Sequence, residues 1–101
     1  AIHVAAVFAC NFTNFMFAGA DEILSRHNLP FHTLIPLIHE TLAKVEHNPP
    51  KTVQTGPAVR ADYQTIRTHH NLLSNAGLWQ KLYRFVSDMM IEYYNSDDEK
   101  R

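Results

Sequence analysis

At 101 residues the chain holds one domain at most, with a modest core that a partner surface can complete. Its apolar fraction of 46% is that of a globular protein, and a net charge of -1 with a pI near 6.7 excludes a basic nucleic-acid binder or an anionic-membrane binder. The single cysteine, Cys10, excludes an internal disulfide and fits a reducing cytosol, so the expected location is cytoplasmic.

Residues 1–27 carry one long helical pattern. Phe8, Phe12 and Phe15 recur at helical spacing with Val4, Ala5 and Ala9 beside them, while Val7 and Phe17 are apolar on other faces. Residues 1–20 have the length of a membrane span, but His3, Asn11, Thr13 and Asn14 fall inside, and polar groups in lipid are costly. The reading is a helix buried at the centre of a bundle or a dimer, not in a membrane. It emerges at Asp21 and Glu22, and Asn28 ends it. No initiator methionine is present and Ala1 opens inside the pattern, so the expectation is a piece of a longer protein, cut at or near a domain boundary.

Pro30 and Pro36 bracket the second helix, with Pro36 in its first turn and Thr33 as the N-cap. Leu34, Ile38, Leu42 and Val45 form its stripe, and Asn48-Pro49-Pro50 stops it. Residues 51–54 add one helical turn, and 55–61 are loop. Asp62 caps a third helix over 63–75, apolar at Ile66, Leu72 and Leu73 and ended by Ala76-Gly77. The last helix spans 78–94. Leu78, Leu82, Phe85 and Met89 trace one side of it and Trp79, Tyr83, Met90 and Tyr94 another, so it should be sandwiched between two surfaces. The predicted organisation is an all-α domain over residues 1–95, a bundle of four main helices without a strand, followed by a charged tail at 96–101.

Few constellations carry chemistry. The seven histidines lack the i, i+4 pair or Cys–His spacing of a zinc site, and the reading is no metal. Cys10 sits in an apolar run with no adjacent base, which reads as a buried inert thiol. No Gly-x-Ser-x-Gly elbow is present, and three glycines leave no room for a phosphate-cradling loop, so this chain does not hold a dinucleotide in the usual way by itself. His3 and Asn14 lie close to three turns apart with Cys10 between, and Asn11 neighbours Asn14. This polar seam is either a hydrogen-bond site between helices or the lining of a cleft. The segment Thr55-Gly56-Pro57-Ala58-Val59-Arg60-Ala61-Asp62 is the clearest site candidate. A rigid turn presents Arg60, whose planar fork suits a carboxylate or phosphate, at a helix N-terminus that attracts anions; Asp62 reads first as the helix cap.

These residues also carry a family resemblance. The run Ile2-His3-Val4-Ala5-Ala6-Val7-Phe8-Ala9-Cys10-Asn11-Phe12 resembles the opening of an uncharacterised bacterial domain, the C-terminal half of Rossmann-like proteins of unknown function often labelled NADP oxidoreductases of the deazaflavin-dependent type. Residues 34–42 resemble its Leu-x-Pro-Leu-x-x-x-Thr-Leu helix. Gln54-Thr55-Gly56-Pro57, Arg60 and Asp62, followed by Thr65-Ile66 and His69 or His70, resemble its Thr-Gly-Pro…Arg-Gly-Asp loop and helix. The resemblance covers nearly the whole chain, in order. It implies the all-α fold of the 6-phosphogluconate dehydrogenase C-terminal type, similar to the dimer-forming domain of pyrroline-5-carboxylate reductase. It implies a homodimer and an upstream Rossmann-like domain that binds NADP and closes a substrate cleft against this one; it gives no substrate, and the expectation of a small anionic one comes from Arg60.

Carried over by position, His3 and Asn11 are the catalytic candidates, and Thr55, Gly56, Pro57, Arg60 and Asp62 the substrate-binding ones. The departures are Ala61 where the family has Gly after Arg, Cys10 where it has Ser, and Val7 where hydroxyacid dehydrogenases of the broader group place a lysine. Two functions follow: the dimerisation and substrate-cleft domain of an NAD(P)-dependent oxidoreductase, inactive as a fragment, or a non-catalytic helical dimerisation module of a nucleotide- or partner-binding protein. The hydride carrier, NAD, NADP or deazaflavin, stays open at this point.

Overall fold

The structure, a computed structural model, describes residues 1–99, with side chains through Asn95. Helix α1 spans Ile2–Ser25, α2 Ile35–His47, α3 Tyr63–Leu72 and α4 Leu78–Glu99, with 3-10 turns at Phe31–Leu34 and Pro50–Val53. Among the described residues there is no strand, so the fold is all-α. The chain divides into two units, Ala1–Ala43 and Lys44–Arg101.

In the first unit, α1 is regular at both ends and widened in the middle. Val7–Phe12 form a π turn, and the Thr13 hydroxyl donates to the Phe8 carbonyl at 3.4 Å. Such a turn inserts a residue into the helical phase, roughly 100° of rotation. His3 and Asn14 therefore do not share the straight stripe that regular spacing implies. Phe8 and Phe12 still meet edge to face, at 5.1 Å between centroids. Phe8, Phe12 and Phe15 are nevertheless 64%, 49% and 51% exposed, so the chain's own bundle does not cover this face. The expected burial of Cys10 is corrected on the same ground: its thiol is exposed. By length and composition α1 could cross a membrane, a test that a helix covered by a partner also passes.

Helix α1 ends as its sequence predicts. Asn28 adopts φ 57°, the Leu29 amide donates to the Leu24 carbonyl and the Asn28 amide to the Ser25 carbonyl. This pairing is a Schellman motif, with asparagine in the left-handed position that glycine usually takes. Phe31 then turns back to meet Phe17 edge to face at 6.0 Å. Thr33 is not an N-cap. It lies inside the 3-10 turn, its amide bonded to the Pro30 carbonyl, because Pro30 already supplies the extended residue from which the turn starts.

In the second unit α3 packs on α4. Ala58, Ile66, Leu73, Ala76 and Ser87 are buried. The α3 helix stops at Leu72, earlier than the expected 75, and Gly77 at φ 58° reverses the chain into α4. The Gln80 amide side chain donates to the His70 carbonyl at 2.9 Å, holding the two helices at the bend. Of the two apolar sides of α4, Trp79, Tyr83 and Tyr94 are half-buried, whereas Leu78, Phe85 and Met89 are 73%, 64% and 53% exposed. One side is thus covered within the chain and the other is bare. The helix continues through Ser96 to Glu99, beyond the expected end at 94; Lys100 and Arg101, the rest of the expected tail, lie outside the described residues.

Candidate functional site

The loop at 55–62 is fixed at each end and through its middle. Upstream, Gln54 accepts the Tyr94 hydroxyl at 3.3 Å and donates to the Thr55 carbonyl at 3.1 Å. Gly56 follows at φ +105°, a conformation that side-chain-bearing residues rarely adopt, and the position of its missing Cβ has nothing within 4 Å. Glycine is required here by the backbone, and the space in front of it is open. The Ala61 amide then donates to the Ala58 carbonyl at 3.1 Å and the Asp62 amide to the Pro57 carbonyl at 2.9 Å. These bonds close a second Schellman motif. It makes Pro57–Arg60 one locked helical turn, anchored by the buried Ala58.

The C′ position of this motif is Ala61, at φ +53°. The resemblance expects glycine there, and an L side chain in the left-handed region costs about 1–2 kcal/mol. Glycine's extra freedom in the unfolded chain offsets part of that gain. Ala61→Gly should therefore raise stability by about 0.5–1 kcal/mol in urea unfolding. An unchanged or lower midpoint would show that the strain is relieved elsewhere.

Asp62 is a committed cap. Its Oδ1 accepts the Thr65 amide at 3.1 Å and its Oδ2 the Thr65 hydroxyl at 2.7 Å. The carboxylate therefore occupies the helix N-terminus that the sequence reading offered to an external anion. The Thr65 hydroxyl and amide, then Arg60 and His69, hold its carboxyl below the ordinary value of 3.8. A depressed folded-state pKa contributes stability above the unfolded value and loses it as pH falls through the folded one. Wild type should thus exceed Asp62→Asn in thermal midpoint at neutral pH, with the gap closing below about pH 3.8. A gap independent of pH would mean that the charge contributes nothing. Asp62→Ala, which also loses the cap, should melt lower than Asp62→Asn at pH 7.

Arg60 has a different standing. Its guanidinium lies 3.8 Å from Asp62 Oδ2, and its side chain is 60% exposed. That long, solvated pairing leaves most of its five donors available to a ligand. Thr55, Gly56, Pro57, Arg60 and Asp62 are thus gathered in one built loop. His3 and Asn11 stand in the other unit, exposed along α1, with Asn11 inside the π turn. Such turns often mark functional positions in helices.

Residues outside the predicted set also shape the loop's surroundings. His69 Nδ1 lies 2.8 Å from the Tyr83 hydroxyl, their rings edge to face at 5.8 Å, and burial pushes the Tyr83 phenol up. The sequence signal for His69 is its place seven residues after Asp62 on the same side of α3; Tyr83, on another helix, gives none. Among the described residues no group of three His, Cys, Asp or Glu side chains could hold a metal.

A family model described as "Domain of unknown function (DUF2520)" matches residues 1–90. Among solved structures, the chain is similar to one described as a putative NADP oxidoreductase from Bacteroides fragilis, at 48% identity and a TM-score of 0.87. The match covers 90% of this chain and 35% of that one, so the chain spans about a third of its relative's length. No curated protein matches.

Proposed function

The chain therefore belongs to the DUF2520 family, and from that premise we propose that it is the C-terminal dimerisation and substrate-cleft domain of an NAD(P)-dependent oxidoreductase. The observation that carries the reading is Arg60, held on a locked turn with its side chain 60% exposed, in the same loop as Gly56. A preorganised, weakly engaged arginine is suited to clamp a carboxylate or phosphate bidentately. Its neighbour Asp62 keeps the turn in place and does not compete closely for it. Thr55, Gly56 and Pro57 shape the floor of the same subsite.

The nicotinamide dinucleotide belongs to a different part of the parent protein. With three glycines and no glycine-rich phosphate loop, this chain has no means of cradling a pyrophosphate. An upstream Rossmann-like domain would hold the cofactor and close the cleft over Arg60. His3 and Asn11 are candidates for the polar groups that meet the reacting centre. The location consistent with this chemistry and with the free Cys10 thiol is cytoplasmic.

A second copy of the chain would cover the bare apolar faces. Val4, Phe8, Phe12 and Phe15 on α1, and Leu78, Phe85, Met89 and Tyr93 on α4, are all at least 49% exposed. Extended apolar surface of this kind marks an interface, and aromatic side chains are favoured in one. The length of α1 is then explained by a helix-rich dimer core without a membrane.

Calorimetric titration of NADPH into the full-length protein tests the cofactor half of the reading. Saturable binding is expected. Full-length protein that binds neither NADPH nor NADH, yet still dimerises, would favour the alternative, a non-catalytic dimerisation module.

A further inference from the structure

Helix α4 holds the segment that leads into the Arg60 loop. The Tyr94 hydroxyl donates to Gln54 Oε1 at 3.3 Å, and Gln54 Nε2 donates to the Thr55 carbonyl at 3.1 Å. The Tyr94 ring meets Tyr93 edge to face at 5.0 Å between centroids, and Lys51 Nζ lies 4.7 Å over the Tyr93 ring. Lys51 belongs to the 3-10 turn just before Gln54, which Thr52 closes on the Pro49 carbonyl with its amide at 3.0 Å and its hydroxyl at 2.7 Å. About three turns back along α4, on the same side, Tyr83 meets His69 of α3 at 2.8 Å. One helix thus grips the chain on both sides of the loop. The Arg60 turn itself is closed by its own bonds, from the Ala61 and Asp62 amides, and by the buried Ala58. Between that turn and Thr55 stands Gly56 at φ +105°, the residue with the widest backbone freedom. The locked turn therefore fixes Arg60 without fixing Thr55, and the bonds from Tyr94 through Gln54 reach Thr55 from the other side of the hinge.

We propose that Tyr94 is a positioning residue of the anion site: acting through Gln54, it holds the Thr55 limb of the loop across the Gly56 hinge from Arg60. Tyr93 braces it, by its contact with the Tyr94 ring and by carrying Lys51. The inference rests on the reading that puts Thr55 and Arg60 in one subsite for a carboxylate or phosphate. A site of this kind binds best when its parts are held in place before the ligand arrives, because ordering them afterwards costs affinity.

The test uses the full-length protein and Tyr94→Phe, which removes only the hydroxyl. Backbone order parameters from nitrogen relaxation should fall at Thr55 and Gly56, while those at Ala61 and Asp62, bonded inside the Arg60 turn, stay as in wild type. Inorganic phosphate and acetate, titrated while the Arg60 Nε–H resonance is followed, should each bind about threefold more weakly than to wild type, the low end for a neutral hydrogen bond. In a Gln54→Ala background, Tyr94→Phe should change neither readout further, because the relay is already cut. Unchanged order at Thr55 and Gly56 in Tyr94→Phe overturns the proposal. So does an equal fall at Ala61 and Asp62, which would mark a general loosening, and so does an effect that persists in full on Gln54→Ala. Unchanged affinity in Tyr94→Phe, with both anions still weakened by Arg60→Ala, overturns it and leaves the clamp standing. If wild type binds neither anion, the clamp and its positioning by Tyr94 fall together.

Discussion

Full-length protein carrying Phe8→Asp and Phe12→Asp should sediment as a monomer at micromolar concentrations, where the wild type is expected to be a dimer. The two rings stack edge to face at 5.1 Å and lie 64% and 49% exposed on α1, so within one copy of the chain they contribute little burial. In a dimer they would become buried anchors. Replacing them removes that apolar burial and places two unpaired carboxylates in the interface, where burying a charge without a partner is strongly unfavourable. A loss of about 4 kcal/mol, or a thousandfold in the dissociation constant, is a modest expectation for the pair. Because the substituted positions are open in the single chain, helicity by circular dichroism should fall little. A wild type that is monomeric, or a double variant that dimerises as tightly, would remove the dimerisation role.

Arg60→Ala in the full-length protein should weaken binding of an anionic ligand by about 1.5–3 kcal/mol, the scale of hydrogen bonds to a charged group. Its thermal midpoint should barely move. The ion pair that it loses is 3.8 Å long and solvated on both sides, and such pairs contribute little to stability. Arg60→Lys should also bind less well than wild type, because an ammonium cannot reproduce the two parallel donors of the fork. If Arg60→Ala mainly unfolds the protein and leaves ligand affinity intact, the loop is a structural turn and no clamp.

Local chemistry was legible in the sequence, and pairings across helices were not. The cap at Asp62, the turn at Gly56-Pro57 and the stop at Asn28 follow from residue type alone, and each stands in the structure where it was read. The π turn in α1 was hidden, because Val7–Phe12 is equally compatible with regular helix and no glycine or proline marks the change. The same insertion undid the supposed seam through His3, Cys10 and Asn14. Thr33 was misread because a good capping residue can sit inside a 3-10 turn when a preceding proline begins it. Which apolar side of α4 faces α3 could not be read from two equally apolar stripes. The Tyr83–His69 contact and the burial of Ser87 decide it. Ala61 was visible as a departure from the family pattern. Its meaning, a left-handed residue closing a Schellman motif, required the backbone.

If this domain completes the substrate cleft of a hydride-transferring enzyme, hydride from the cofactor must reach a bound substrate. The most direct measurement is deuterium transfer from NADPH labelled on one face of its nicotinamide ring, incubated with the full-length protein and a panel of small carbonyl compounds that bear a carboxylate or a phosphate. Label should reach the substrate carbon from one face only, at a rate reduced in Arg60→Ala. NADPH that binds yet transfers no label to any member of the panel would contradict it and leave a dimerisation module without chemistry.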